Sequence, residues 1–311
     1  MNPLSIAALA LFGAFGCALA AQSEVQVDEF SLRDAKRDRQ IECRSYAPKS
    51  GDQLPLIVFS HGFGADRTAF SHIAQAWAAN GYVVVVPSHL DGSGKSKDKG
   101  NPLPAGGLPA LMAKAALKTE NRVRDVTFIL DAIEQVEGLA SSLRGRIDTT
   151  RIGVAGHSLG AYTTMLVGGV TADINDQKSR SFRDPRVRCI LPISGQGAGQ
   201  QGLSASSWSA LSIPMLSVTG SLDRGAGGQG PEWKRQPFEL SPSGDNYLVF
   251  IEGANHVSFG GARPGEITEA VKASTLAFWD AYLKDVTAAK VSLKDGSVLS
   301  SWKQVARIFS K

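Results

Sequence analysis

Three residues in a fixed chain order could carry nucleophilic chemistry: Ser158, Asp223 and His256. Ser158 stands at the centre of Gly156-His157-Ser158-Leu159-Gly160, a G-x-S-x-G pattern. The run Arg151-Ile152-Gly153-Val154-Ala155 before it is short, apolar and partly β-branched, and Ala161 to Val167 after it can continue as a helix. A strand that turns sharply into a helix, with glycines at the turn, holds a serine hydroxyl exposed in a strained conformation. A serine hydroxyl is a weak nucleophile at neutral pH. It needs a base to take its proton and an acid to orient that base and stabilise its charged form.

The order serine, acid, histidine goes with this kind of turn. His256 is the only histidine after Ser158, in the loop that follows the apolar run ending at Ile251. Asp223 follows the apolar segment Pro214 to Thr219 through Gly220-Ser221-Leu222, so it emerges at the strand end expected to carry the serine. Asp173, Asp176 and Asp184 lie in a polar stretch and read as surface charges, and Asp245 precedes the histidine-bearing strand at the opposite end of the sheet. Acyl transfer also needs donors aimed at the tetrahedral oxyanion. The Leu159 N–H just after the nucleophile is one, and the Phe63 N–H in Ser60-His61-Gly62-Phe63-Gly64-Ala65 is the other. The rings of His61 and His157 are expected to hold their loops by local hydrogen bonds.

These residues require a sheet that presents several strand ends along one edge. Apolar runs alternate with helical patterns along the chain, which predicts a mostly parallel central sheet with helices on both faces, an α/β class. Strands are predicted at Gln40 to Arg44, Leu56 to Ser60, Tyr82 to Pro87, Ile190 to Ser194, Met215 to Thr219 and Tyr247 to Ile251, and helices at Phe70 to Asn80, Arg122 to Val136 and Ile267 to Leu283. His89 to Thr119 is long for a plain connection, and loops of that length are often functional. It could form a lid or cap, or be a solvated excursion. Gly195 to Ser209 leaves the same sheet edge, and Trp208 within it could line a pocket or cover the core. Phe63 is the other candidate for contacting substrate.

The chain has 311 residues with a net charge of +4, enough for one large domain with a real core. The charge excess is mild, with its densest patch at Lys95, Lys97 and Lys99, which argues against nucleic-acid binding. His61, His72, His89, His157 and His256 are scattered and no Cys-x-x-Cys occurs, so neither a metal centre nor a cofactor is expected. Leu4 to Leu19 is almost wholly apolar and Ala18-Leu19-Ala20 offers a cleavage pattern. Residues 1–21 therefore read as a signal peptide, and 22–311 as a single domain, secreted or periplasmic, with no stable membrane insertion after cleavage. A membrane anchor and a lipoprotein attached through Cys17 are the alternatives. Cys43 and Cys189 fall on separate strands and are expected to remain unpaired.

With these motifs in place the chain resembles the α/β-hydrolase superfamily. Within it, the chain is similar to the group of platelet-activating-factor acetylhydrolases, chlorophyllases, cutinase-like polyesterases and predicted dienelactone hydrolases. The likeness rests on Ser60 to Gly64, Asn80 to Pro87, Gly156 to Gly160, Ile213 to Asp223 and Asn255-His256, and covers roughly Leu54 to Leu283. It implies Ser158 as nucleophile, Asp223 as acid, His256 as base, and Phe63 and Leu159 as backbone oxyanion donors. Dienelactone hydrolases use a cysteine where Ser158 stands, so an esterase is favoured. Dehalogenases and epoxide hydrolases of this fold use an aspartate and are excluded. The expected activity is hydrolysis of short- to medium-chain carboxylic esters by a cofactor-independent monomer. Polyesters or lipids, or amides and peptides on the same triad, are the alternatives, and a non-catalytic binding module is a third class. The tail after Asp285 lies outside the resemblance, and its Trp302, Val305, Ile308 and Phe309 suggest a short docking helix.

Overall fold

The computed structural model describes residues 23–91, 107, 119–261 and 264–311. The expected signal segment, Cys17, the lysines near position 97 and most of the 89–119 excursion lie outside them.

Six strands run parallel in the middle of a nine-stranded sheet. In chain order the strands are β1 (Val25–Asp34), β2 (Arg39–Pro48), β3 (Leu54–Ser60), β4 (Val83–Pro87), β5 (Ile147–His157), a separate small hairpin of β6 (Ala172–Ile174) and β7 (Gln177–Arg180), β8 (Val187–Ile193), β9 (Met215–Leu222), β10 (Asn246–Asn255) and β11 (Ala306–Ser310). The sheet order is β1-β2-β4-β3-β5-β8-β9-β10-β11, with antiparallel pairing only at β1/β2, β2/β4 and β10/β11. Among the described residues the helices include α1 (Ser71–Ala79), α2 (Thr119–Asp131), α3 (Ile133–Leu139), α4 (Leu159–Gly168), α5 (Pro231–Glu239), α6 (Glu266–Leu283) and α7 (Thr287–Asp295).

β3 and β4 are buried along their whole length, because both faces are covered, as central parallel strands require. Successive side chains go to opposite sides. Leu56, Val58, Val83 and Val85 join a core with α2, α3 and α4, while Ile57, Phe59, Val84 and Val86 join one with α1, α6 and α7. Burying apolar surface at ~25 cal/mol per Å² makes these two layers the main source of stability. Rigid packing on both faces then fixes the strand ends that carry the polar residues.

Several expectations change. The helix expected over Arg122 to Val136 is two helices, α2 and α3, separated at Ala132, whose φ of −107° leaves the helical range; neither proline nor glycine marks the break. The docking helix expected around Trp302 to Phe309 is a 3₁₀ turn followed by β11. An exposed β10 edge would leave a row of unpaired backbone groups, and β11 covers it in register from Tyr247↔Ser310 to Ile251↔Ala306. Trp208 is fully buried in the core beside Leu203 and Leu211, so it covers the core and does not line an open pocket. Asp184, read as a surface charge, is buried and paired with Arg186. Cys43 and Cys189 are unpaired and buried. Their strands, β2 and β8, are separated by β4, β3 and β5, roughly 19 Å at the usual strand spacing.

Candidate active site

The strand β5 runs straight into α4 through Ser158, whose φ of 56° and ψ of −118° lie outside the regions a serine prefers. Such strain persists only where surroundings enforce it, and here two glycines do. A Cβ on Gly156 would sit 2.4 Å from the Gly160 carbonyl oxygen, and one on Gly160 would sit 1.9 Å from the Ser60 carbonyl oxygen. Any other residue would force the helix start away from β5 or β3. The G-x-S-x-G pattern is therefore a packing requirement as well as a turn.

The edge formed by the ends of β5, β8, β9 and β10 collects the polar residues. His256 follows β10 directly and its Nε2 lies 3.0 Å from Ser158 Oγ. Its Nδ1 lies 3.0 Å from Asp223 Oδ1. Asp223 follows β9 and is completely buried, while the His256 side chain is 37% exposed. The structure thus brings Ser158, His256 and Asp223 into one hydrogen-bonded chain.

Three further residues complete the surroundings of the acid, and nothing in the sequence singled them out. Ser194, at the end of β8, donates its hydroxyl to Asp223 Oδ1 at 2.9 Å and accepts from His256 Nδ1 at 2.9 Å. Its own φ of 54° points the side chain toward the pair. Thr219 on β9 donates to Asp223 Oδ2 at 2.9 Å. Lys234 on α5 is buried, and its ammonium donates to the Ser194 carbonyl at 3.0 Å. Burial works against the Asp223 charge, but the His256 hydrogen bond, the Lys234 charge and the Ser194 hydroxyl outweigh it and hold the carboxyl below its ordinary range. Burial also pushes Lys234 down to about 8, against the pull of Asp223. The strand-end position of Ser194, at the edge that carries Ser158, is the one signal that could have found it.

His157 and His61 act on loops, not on protons. Burial and the neighbouring His256 push the His157 ring down to about 3, so it is neutral at physiological pH. Its Nε2–H donates to the backbone carbonyl of His256 at 2.8 Å, and its ring lies against Phe70 with centroids 5.0 Å apart. The residue before Ser158 thus fixes the loop that carries His256. His61 donates through Nδ1 to the Gly62 carbonyl at 2.7 Å and accepts the His89 N–H at Nε2 at 3.0 Å.

The Gly62–Phe63 loop lies over the serine: a Cβ on Gly62 would be 3.6 Å from Ser158 Cβ. Among the described residues, neither the Phe63 N–H nor the Leu159 N–H has a hydrogen-bond acceptor. Leu159 opens α4, where the first backbone N–H groups have no partner within the helix and carry partial positive charge. The Phe63 side chain packs half-buried against the core. The arrangement can therefore remove a proton from Ser158 and receive an anion above it.

The comparisons with known proteins bear on this geometry. Residues 19–98 match the family model of platelet-activating factor acetylhydrolase, isoform II, a span that includes the Gly62–Phe63 loop and ends before Ser158. The chain is 32% identical over 242 residues to platelet-activating factor acetylhydrolase of Canis lupus familiaris, an alignment that covers 68% of this chain and 49% of that protein. Enzymes of the same name from Bos taurus and Cavia porcellus are 30% identical over 148 residues and 29% over 140, each alignment covering 38% of this chain and 32% of the relative. The chain resembles the platelet-activating factor acetylhydrolases of the α/β-hydrolase superfamily. It spans half or less of the length of the curated relatives it matches. Its mostly parallel sheet with surrounding helices is that of the superfamily.

Proposed function

We propose that this protein is a serine hydrolase of carboxylic esters with Ser158 as nucleophile, His256 as general base and Asp223 as the acid that orients it. The observation that carries the reading is the hydrogen-bonded chain from Ser158 Oγ through His256 to Asp223, at 3.0 Å in each link, built on a serine held at positive φ. Ser158 Oγ passes its proton to His256 Nε2 as it attacks the ester carbonyl. The carbonyl electron pair moves onto oxygen, facing the N–H groups of Phe63 and Leu159. His256 then gives the proton to the departing alkoxide as the C–O bond breaks, leaving an acyl-serine and an alcohol. Water, deprotonated by His256, adds to the acyl carbon, and collapse returns the proton to Ser158 and releases the acid. Asp223 stays ionised throughout and stabilises the imidazolium, the role its buried set of donors supports. No step calls for a metal or cofactor.

A second reading narrows the substrate to the acetyl ester of platelet-activating factor or a chemically similar lipid. It is favoured by the similarity to proteins of that name and by Leu222 and Val257, exposed apolar residues adjoining Asp223 and His256 in sequence. The apolar run at residues 4–19 and the Ala18-Leu19-Ala20 pattern support export of the chain. The test is hydrolysis of p-nitrophenyl esters from acetate to decanoate, together with fluorophosphonate labelling. Turnover with label at Ser158 and a rate that declines with acyl length is expected. Activity retained in Ser158→Ala would overturn the assignment, and a preference for acetylated phospholipid over p-nitrophenyl acetate would select the second reading.

A further inference from the structure

Arg122 is a charged side chain that contacts the oxyanion loop from behind. It lies on α2, is 3% exposed, and donates through Nη1 to the His61 carbonyl at 2.7 Å and through Nη2 to the Gly62 carbonyl at 3.4 Å. Its other edge is held by Asp91, with Nε to Oδ1 at 3.0 Å and Nη2 to Oδ2 at 2.7 Å. A planar guanidinium with donors in a fixed fork can hold two groups in a set orientation, which an ammonium cannot.

We propose that Arg122 is a positioning residue that aims the Phe63 N–H at the oxyanion, an inference that rests on the ester-hydrolase reading. The peptide unit is planar and its N–H points opposite to its C=O. The Gly62 carbonyl and the Phe63 N–H belong to the same plane. Fixing the carbonyl toward Arg122, with His61 Nδ1 at 2.7 Å and the Ala65 N–H at 3.3 Å as its other donors, fixes the Phe63 N–H away from them. That N–H has no acceptor among the described residues, and its loop abuts Ser158 at Gly62. A donor left to rotate would have to be ordered in each transition state, and oxyanion stabilisation derives its strength from avoiding that reorganisation. A cation on the carbonyl also polarises the peptide and strengthens its N–H as a donor. Burial opposes the Asp91 charge, yet Arg122 holds that carboxyl below its ordinary range, so Asp91 stays ionised at working pH.

The test begins with wild type on p-nitrophenyl butyrate. If it neither turns over nor acylates at Ser158, the ester-hydrolase reading fails and the clamp with it. Where wild type is active, Arg122→Lys is expected to lower kcat about 30-fold, below the 10²–10³ typical of deleting an oxyanion donor, with KM within about threefold. Affinity for a trifluoromethyl ketone, which forms the tetrahedral adduct, falls by the same factor as kcat/KM. Methylguanidine added to Arg122→Ala restores part of kcat. Asp91→Asn, at a side chain 22% exposed, leaves Arg122 in place but frees its outer edge, and lowers kcat about fivefold with a parallel loss of ketone affinity. Wild-type kcat and ketone affinity in Arg122→Lys would overturn the proposal. If the Arg122 variants do not fold, Asp91→Asn decides it: unchanged kcat and ketone affinity in that variant overturn the proposal equally.

Discussion

The molecule contains two chains of serine, histidine and aspartate with nearly the same distances. In one, Ser158 Oγ, His256 and Asp223 are linked at 3.0 Å and 3.0 Å. In the other, Ser60 Oγ lies 2.9 Å from His89 Nε2, and His89 Nδ1 lies 2.8 Å from Asp125 Oδ2. The second is the tighter of the two, yet His89 and Asp125 are wholly enclosed. Ser60 ends a regular strand with no backbone strain, and Arg37 and Arg39 each reach Asp125 at 2.8 Å. Burial, then the charge of Arg122, push His89 well below its ordinary range. A proton arriving on that ring would add a further unhydrated cation beside Arg39 and Arg122. The His256 side chain is 37% exposed and faces a carboxyl with three donors, so its charged form keeps both water and a counter-ion. What separates the proposed acyl-transfer site from a structural strut is therefore access, strain at the serine and a place for a transient charge, and not the three residue types or their spacing.

The sharpest way to break this comparison is to remove each serine. Ser158→Ala is expected to lower kcat by roughly six orders of magnitude. Ser60→Ala leaves kcat within about threefold and costs about 1 kcal/mol, the worth of one buried hydrogen bond. A large kcat loss in Ser60→Ala, measured on folded protein with p-nitrophenyl butyrate, would mean that the enclosed chain takes part in the chemistry. The two aspartates come next. Asp223→Asn should cost about 10⁴ in kcat by presenting the wrong partner to His256 Nδ1, with a modest change in melting temperature. Asp125→Asn should do the reverse, destabilising by about 3–5 kcal/mol because the buried Arg39 loses its counter-ion, with kcat of the folded fraction within about tenfold. Thermal melts and active-site titration on both variants separate the outcomes.

A pH-dependent effect concerns Lys234, which has no equivalent among the arginines of the enclosed chain. Burial lowers its pKa in the folded chain to about 8 from the ordinary 10.5. The unfolded chain then binds more protons between those values, so folding stability from this group rises as pH climbs from about 8 toward 10.5 and is lowest below 8, a span of about 3 kcal/mol. The melting temperature of wild type minus that of Lys234→Met should increase across that window. A flat difference would place the ammonium in a better-solvated setting than its burial indicates.

Much of the first site could be read from the chain because its parts are tied to local patterns. Ser158 sits in a pentapeptide whose glycines are demanded by contacts of 2.4 Å and 1.9 Å for an added Cβ. His256 is the sole downstream histidine and Asp223 stands beyond a strand end. Ser194, Thr219 and Lys234 belong to common residue types, and their roles arise only when β8, β9 and α5 meet. The enclosed chain was illegible for the same reason: Ser60, His89 and Asp125 leave no periodic trace. Trp302, Val305, Ile308 and Phe309 fit a helical spacing, and the open edge of β10 decided otherwise, since a backbone needing partners outweighs a weak periodicity. Trp208 could be assigned to pocket or core only by seeing what packs on it.

The contact of Gly160 with Ser60 has a consequence for divergence. The two N–H groups proposed to face the oxyanion belong to the main chain, and the segments that carry them meet where Gly160 packs against the Ser60 and His61 carbonyls. Side chains around the serine can change what the cleft admits without disturbing how it reacts. Reactivity and selectivity are thereby written in separate alphabets, and a lineage could exchange one ester for another while Gly156 and Gly160 stay fixed.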